Sequence, residues 1–74
     1  LFMPIKPLSA LNNAISNRVI VELRAGREFR GTLDGYDMHM NLVLKDTEEI
    51  VDGEIVSTAS MTIVRGDSVI YISP

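Results

Sequence analysis

From Arg18 onward the apolar residues of this chain recur with a period of two, and glycines interrupt that pattern where no flat strand would place them. Val19, Val21 and Leu23 alternate with Ile20, Glu22 and Arg24, which is the pattern of a half-buried strand. Ala25-Gly26 separates this run from the next, and Gly26 permits the positive dihedral of a tight hairpin. A second strand is expected from Arg27 to about Met38. Gly31 and Gly35 inside it weaken a strand unless the strand bends sharply or packs closely, so strong curvature is implied. A third strand is expected over Leu42 to Lys45, then an acidic turn region, Asp46-Thr47-Glu48-Glu49, and Asp52-Gly53. Glu54 to Val64 and Ser68 to Ile72 read as the fourth and fifth strands. Ahead of the sheet, Pro7 to Asn17 reads as a short helix, with Pro in the first turn, Ser9 as a cap, and Leu8, Leu11 and Ile15 forming one apolar stripe. A single domain over residues 1–74 is expected; Leu1 and Phe2 precede the only early methionine, Met3, and are read as a remnant and not as native sequence.

One helix and five antiparallel strands in 74 residues leave too little chain to cover an open sheet. A kinked sheet of this length is expected to curl into a small open barrel, a mainly β single domain with no internal repeat. A core of that size supplies only a few kcal/mol, so self-association is expected. The formal charge of -3 argues against a general phosphate trap, and any nucleic-acid site must be local. Absence of cysteine removes disulfides and thiolate chemistry and suits a cytoplasmic protein, and one histidine is too few for a zinc site. No run approaches the length of a membrane span, so a soluble chain without membrane partners is expected, and no cofactor is expected either.

Two polar clusters flank strand-like runs. Asp37, His39 and Asn41 precede the third strand, while Arg65 and Asp67 surround Gly66 just before the fifth. An imidazole and a guanidinium can stack on a nucleobase while a side-chain amide reads its edge, which needs a single-stranded ligand. Other readings stand beside this one. A lone histidine between Met38 and Met40 also suits a core or subunit contact, and Asp37 suits a turn, where its carboxylate accepts nearby backbone N–H groups. Arg24, Arg27 and Arg30 read as a solvated face paired with Glu22 and Glu28, with RNA contact as the alternative. Met3, Met38, Met40 and Met61 read as fillers of the core or of subunit contacts.

Arg18 to Asp46, with Gly31, Asp37 and Asn41 in place, resembles the first Sm motif, and Ile63-Val64-Arg65-Gly66-Asp67 resembles the second. His39-Met40-Asn41 with Arg65-Gly66-Asp67 is most similar to archaeal Sm-like (LSm) proteins. The resemblance implies an N-terminal helix on a bent five-stranded barrel, whose fourth and fifth strands pair between neighbours to close a ring, commonly a heptamer. It implies binding of uridine-rich single-stranded RNA at the pore, in RNA processing or metabolism. On it, His39 and Arg65 sandwich a base, Asn41 reads its edge and Asp67 holds Asn41, with Gly31, Gly66 and Asp37 as structural turn residues. Tyr36 and Lys6 are placed as a second contact near the helix face. One feature departs from the pattern: Ser57-Thr58-Ala59-Ser60 is small and polar within the fourth strand, and Glu48, Glu49, Asp52 and Glu54 make the adjoining loop acidic, leaving little for RNA on that side. A protein scaffold of Sm shape is the competing function. Catalysis is not expected, because one histidine, no cysteine and scattered aspartates assemble no base, nucleophile and metal set.

Overall fold

In the computed structural model, residues 7–73 are described, with side chains from Ser9 onward. Leu1, Phe2, Met3 and Lys6 lie outside the described residues, as does the side chain of Leu8. Helix α1 spans Pro7–Ala14 and is followed by five strands: β1 Arg18–Leu23, β2 Arg27–Tyr36, β3 Leu42–Val51, β4 Glu54–Val64 and β5 Val69–Ser73. The helix is shorter than the sequence suggests. Ser16 adopts a positive φ of 71° just after it, which turns the chain, and Ser16 N–H donates to the Leu33 carbonyl at 2.8 Å, tying that turn to β2. Ser9 sits inside the helix and not ahead of it.

The strands form one antiparallel sheet in the order β4-β3-β2-β1-β5, so β4 and β5 are its edges. Period-two burial holds along β1, where Val19, Val21 and Leu23 face inward. They join Leu11, Leu33, Leu42, Leu44 and Val64 in one apolar cluster. Each such side chain contributes roughly 1.5 to 3 kcal/mol when taken from water.

Both kinks fall at the glycines. The β2–β3 register shifts between Arg30 and Thr32, across Gly31, and again between Leu33 and Gly35. Gly31 is therefore not a turn residue: it lies within β2, opposite a bulge that Asp46 and Thr47 make in β3. A Cβ there would lie 3.1 Å from the Lys45 carbonyl oxygen and 3.2 Å from Leu44 Cβ, so any other residue would push β3 away where the two strands approach most closely. The acidic segment Asp46-Thr47-Glu48-Glu49 is likewise not a turn. It lies within β3, which bends at Asp46, φ 48°. Thr47 then points inward, 2% exposed, and its hydroxyl has no hydrogen-bond partner among the described residues. The β3–β4 reversal comes at Asp52-Gly53, with φ of 51° and 82°, as a two-residue hairpin of this kind requires.

The edge strands carry most of the exposed apolar surface. Ile55, Val56, Met61 and Ile63 on β4 and Ile70 and Tyr71 on β5 are all more than half exposed. Thr47 aside, the inward-facing residues are apolar, so this outward apolar surface is not left over from the core.

Candidate functional site

The loop from Asp37 to Asn41 closes on itself. Asp37 N–H donates to the Asn41 carbonyl at 3.1 Å and Met40 N–H to the Asp37 carbonyl at 3.1 Å, with Met40 in a left-handed conformation, φ 65°. The Asp37 carboxylate fills the centre of this loop. Its Oδ1 accepts from the backbone N–H of His39 at 2.9 Å and of Asn41 at 3.1 Å, and its Oδ2 accepts from Asn41 Nδ2 at 2.9 Å. These donors, Asn41's side chain foremost, hold the Asp37 carboxyl below its ordinary range despite its exposure.

The loop between β4 and β5 docks on this first one. Gly66 N–H donates to Asn41 Oδ1 at 2.7 Å. A Cβ on Gly66 would overlap the His39 carbonyl oxygen and come within 2.9 Å of the His39 and Met40 carbonyl carbons. Glycine is required here by close approach, not by dihedral. Next to it, Arg65 donates to Asp67 Oδ2 at 3.0 Å, and Ser68 N–H closes a turn on the Arg65 carbonyl at 3.1 Å.

The resemblance implies that Asp67 holds the Asn41 amide. The structure corrects that: the amide nitrogen is held by Asp37 and the amide oxygen by Gly66, while Asp67 carries Arg65. Asp37 lies four residues from Asn41, within reach of its amide once the loop turns at Met40, and Asp67 is drawn to the nearer guanidinium two residues away. Reversing the amide would set its NH2 against the Gly66 N–H and its oxygen against the Asp37 carboxylate, two mismatches together. One N–H and one oxygen lone pair of Asn41 are left over, in a fixed order.

Asn41, Asp37, Tyr36 and Arg65 line one groove, floored by Leu42, Val43 and Ile63. His39 sits on the rim loop, exposed, outside that lining. Asp67 is exposed on the opposite loop. Tyr36, half-buried, packs against the core while lining the groove. The arginines of the first hairpin are mostly committed: Arg27 pairs with Glu49 at 2.6 Å and Arg30 with Glu28 at 2.7 Å, while Glu22 faces Tyr71, raising the phenol. No cluster of three or more metal-ligating side chains occurs among the described residues.

Comparison with known proteins shows what the chain is similar to. The LSM domain profile matches residues 9–74. A curated relative from Archaeoglobus fulgidus, named as snRNP Sm-like, is 57% identical over 97% of this chain and 94% of its own length. Among solved structures, the Sm protein of Pyrococcus abyssi in complex with a uridine heptamer superposes with a TM-score of 0.91 at 46% identity, covering 95% of this chain and 99% of that one. A heptameric archaeal Sm protein superposes with a TM-score of 0.82 at 42% identity over 89% of this chain and 96% of that one.

Proposed function

The chain belongs to the LSM domain family, and from that premise we propose that it assembles into a ring, a heptamer, which binds uridine-rich single-stranded RNA at its pore and serves RNA processing or metabolism. The observation that carries this reading is the locked amide of Asn41. Its free oxygen lone pair accepts from uracil N3–H while its free N–H donates to a uracil carbonyl. Cytosine presents an acceptor at N3 and a donor at its amine, so it needs the reversed amide, which Asp37 and Gly66 oppose. His39 and Arg65 supply planar groups on the two docked loops, and stacking on them contributes roughly 1 to 3 kcal/mol per base without regard to sequence. The complex of the P. abyssi protein with a uridine heptamer supports the same ligand class.

Assembly follows from the edges. Unpaired N–H and C=O groups along β4 and β5, carrying Ile55, Val56, Met61, Ile63, Ile70 and Tyr71, invite pairing with another copy, and a ring satisfies every such edge. The heptameric archaeal relatives support seven subunits. Native mass spectrometry with and without a short oligouridine tests both parts together. A seven-subunit ring that takes up oligouridine is expected; a stable monomer refutes the assembly, and a ring that takes oligocytidine equally well refutes the base site.

A further inference from the structure

The loop carrying Arg65 has a second side. The β1–β5 register sets Leu23 opposite Val69, so the turn Arg24–Gly26 stands beside the start of β5 and next to the Arg65–Ser68 loop. Between them lies a cavity lined by Arg24, Arg27, Phe29, Arg65 and Ser68, which shares Ile63 and Arg65 with the groove of Asn41. Arg65 is thus a common wall, with the amide reader on one side and a cationic, partly aromatic cavity on the other.

The cations in that cavity are not equivalent. Arg27 is held by Glu49 and lies over the Phe29 ring, 5.7 Å from its centroid. Arg65 is paired with Asp67. Arg24 is exposed, and among the described residues it has no carboxylate partner. In a chain with three more acidic than basic residues, that is an unusual cation to leave uncommitted. A guanidinium in this state offers paired N–H donors that fit the oxygens of a phosphate.

We propose that this cavity is a phosphate subsite of the RNA path, in which Arg24 binds the backbone phosphate of the nucleotide adjoining the one read by Asn41. The inference rests on the base-site reading above. The strand crosses Arg65, which stacks on one base, and its next phosphate descends toward Arg24. Phosphate contact fixes register and carries no base information, so the subsite adds affinity and leaves selectivity to Asn41.

The test is fluorescence anisotropy of short oligouridine and oligocytidine on intact rings across a salt series, for the native protein, Arg24→Gln and Arg24→Lys, with inorganic phosphate as competitor. Arg24→Gln is expected to weaken both ligands about fivefold and to lower the salt slope by about 0.7 for each occupied site, leaving the uridine preference unchanged. Arg24→Lys keeps the charge and is expected to keep the slope. Inorganic phosphate is expected to compete no better than its ionic strength explains, because the subsite is filled by a tethered group; strong competition would overturn the RNA-path assignment in favour of a free-anion site. An Arg24→Gln protein with native affinity and slope that still prefers oligouridine overturns this inference alone. A native protein without uridine preference overturns the base-site reading, and this one with it.

Discussion

Gly66 N–H donates to Asn41 Oδ1 at 2.7 Å, and that bond joins two loops separated by the whole of β3 and β4. It fixes the acceptor end of the amide from a strand connection that the first loop does not control. Asp37 fixes the donor end from within the loop.

Gly66→Ala is therefore expected to damage both stability and selectivity. The added methyl would meet the His39 peptide, which is backbone and cannot swing aside. Overpacking of this kind costs about 1 to 3 kcal/mol. Urea unfolding at fixed protein concentration measures the cost, and a Gly66→Ala protein of native stability with native uridine preference would show that the loops do not need this approach.

Asp37 and Asp67 make opposite predictions. Asp37→Ala removes the acceptor of the Asn41 N–H and of two backbone donors, so the preference for oligouridine over oligocytidine is expected to shrink by about the 1 to 3 kcal/mol of one bidentate base contact. Asp67→Ala frees Arg65 and is expected to change the affinity for both ligands by the same factor. Binding of both homopolymers to each variant decides; if Asp67→Ala is the one that erases the preference, the lock assigned to Asp37 is wrong.

The two loops show how far the sequence could be read. Asp37, His39, Asn41, Arg65 and Gly66 stand out because polar groups and a glycine abut apolar strands, and the structure brings their loops together. Which aspartate holds the amide is not legible, since spacing along a chain does not say where a loop closes, and Met40's left-handed turn brings Asp37 back to Asn41. Strand β1 is legible from its alternation, and β4 from the Asp52-Gly53 turn before it and the apolar residues along it. The second half of β3 is not: the bend at Asp46 breaks the alternation, so the inward positions run Leu42, Leu44, Thr47 and Ile50, and the charges between them imitate a loop. Arg24 passes for one more solvated arginine until its neighbours Arg27 and Arg30 are seen to be paired, while it has no carboxylate partner among the described residues.

Thr47→Val is expected to stabilise the fold. The Thr47 hydroxyl is buried with no partner among the described residues, a situation that costs about 1 to 3 kcal/mol, and valine has nearly the same shape without the polar atom. Its neighbour across the bulge is Gly31, where a Cβ would lie 3.3 Å from the hydroxyl, so the site is too tight for a larger side chain. A rise in the urea midpoint at fixed protein concentration checks it; a fall of similar size would mean that the hydroxyl is satisfied by a buried water.

The Asp37 carboxyl provides a pH test of the loop itself. Hydrogen bonds from the Asn41 side chain, then from the Asn41 backbone N–H and, more weakly, from that of His39, hold it below its ordinary value of 3.8. A carboxyl depressed on folding favours the folded loop when ionised, so its contribution is complete above the ordinary value and is lost as pH falls through the depressed one. The closed loop should then outlast an unperturbed aspartate on acidification. Carbon-detected NMR of the side-chain carboxyls follows this directly. In the native protein the Asp37 midpoint is expected below 3.8, with exchange of the His39 and Asn41 amides accelerating as it protonates. In Asn41→Ala the midpoint should move up, because the strongest of its donors is gone. Glu49 is an internal control: Arg27 and then Ser57 depress it, and neither touches this loop, so its midpoint should not move. An Asp37 midpoint that ignores the loss of the Asn41 side chain would mean that the carboxylate does not hold the amide, and the lock would have to rest on Gly66 alone.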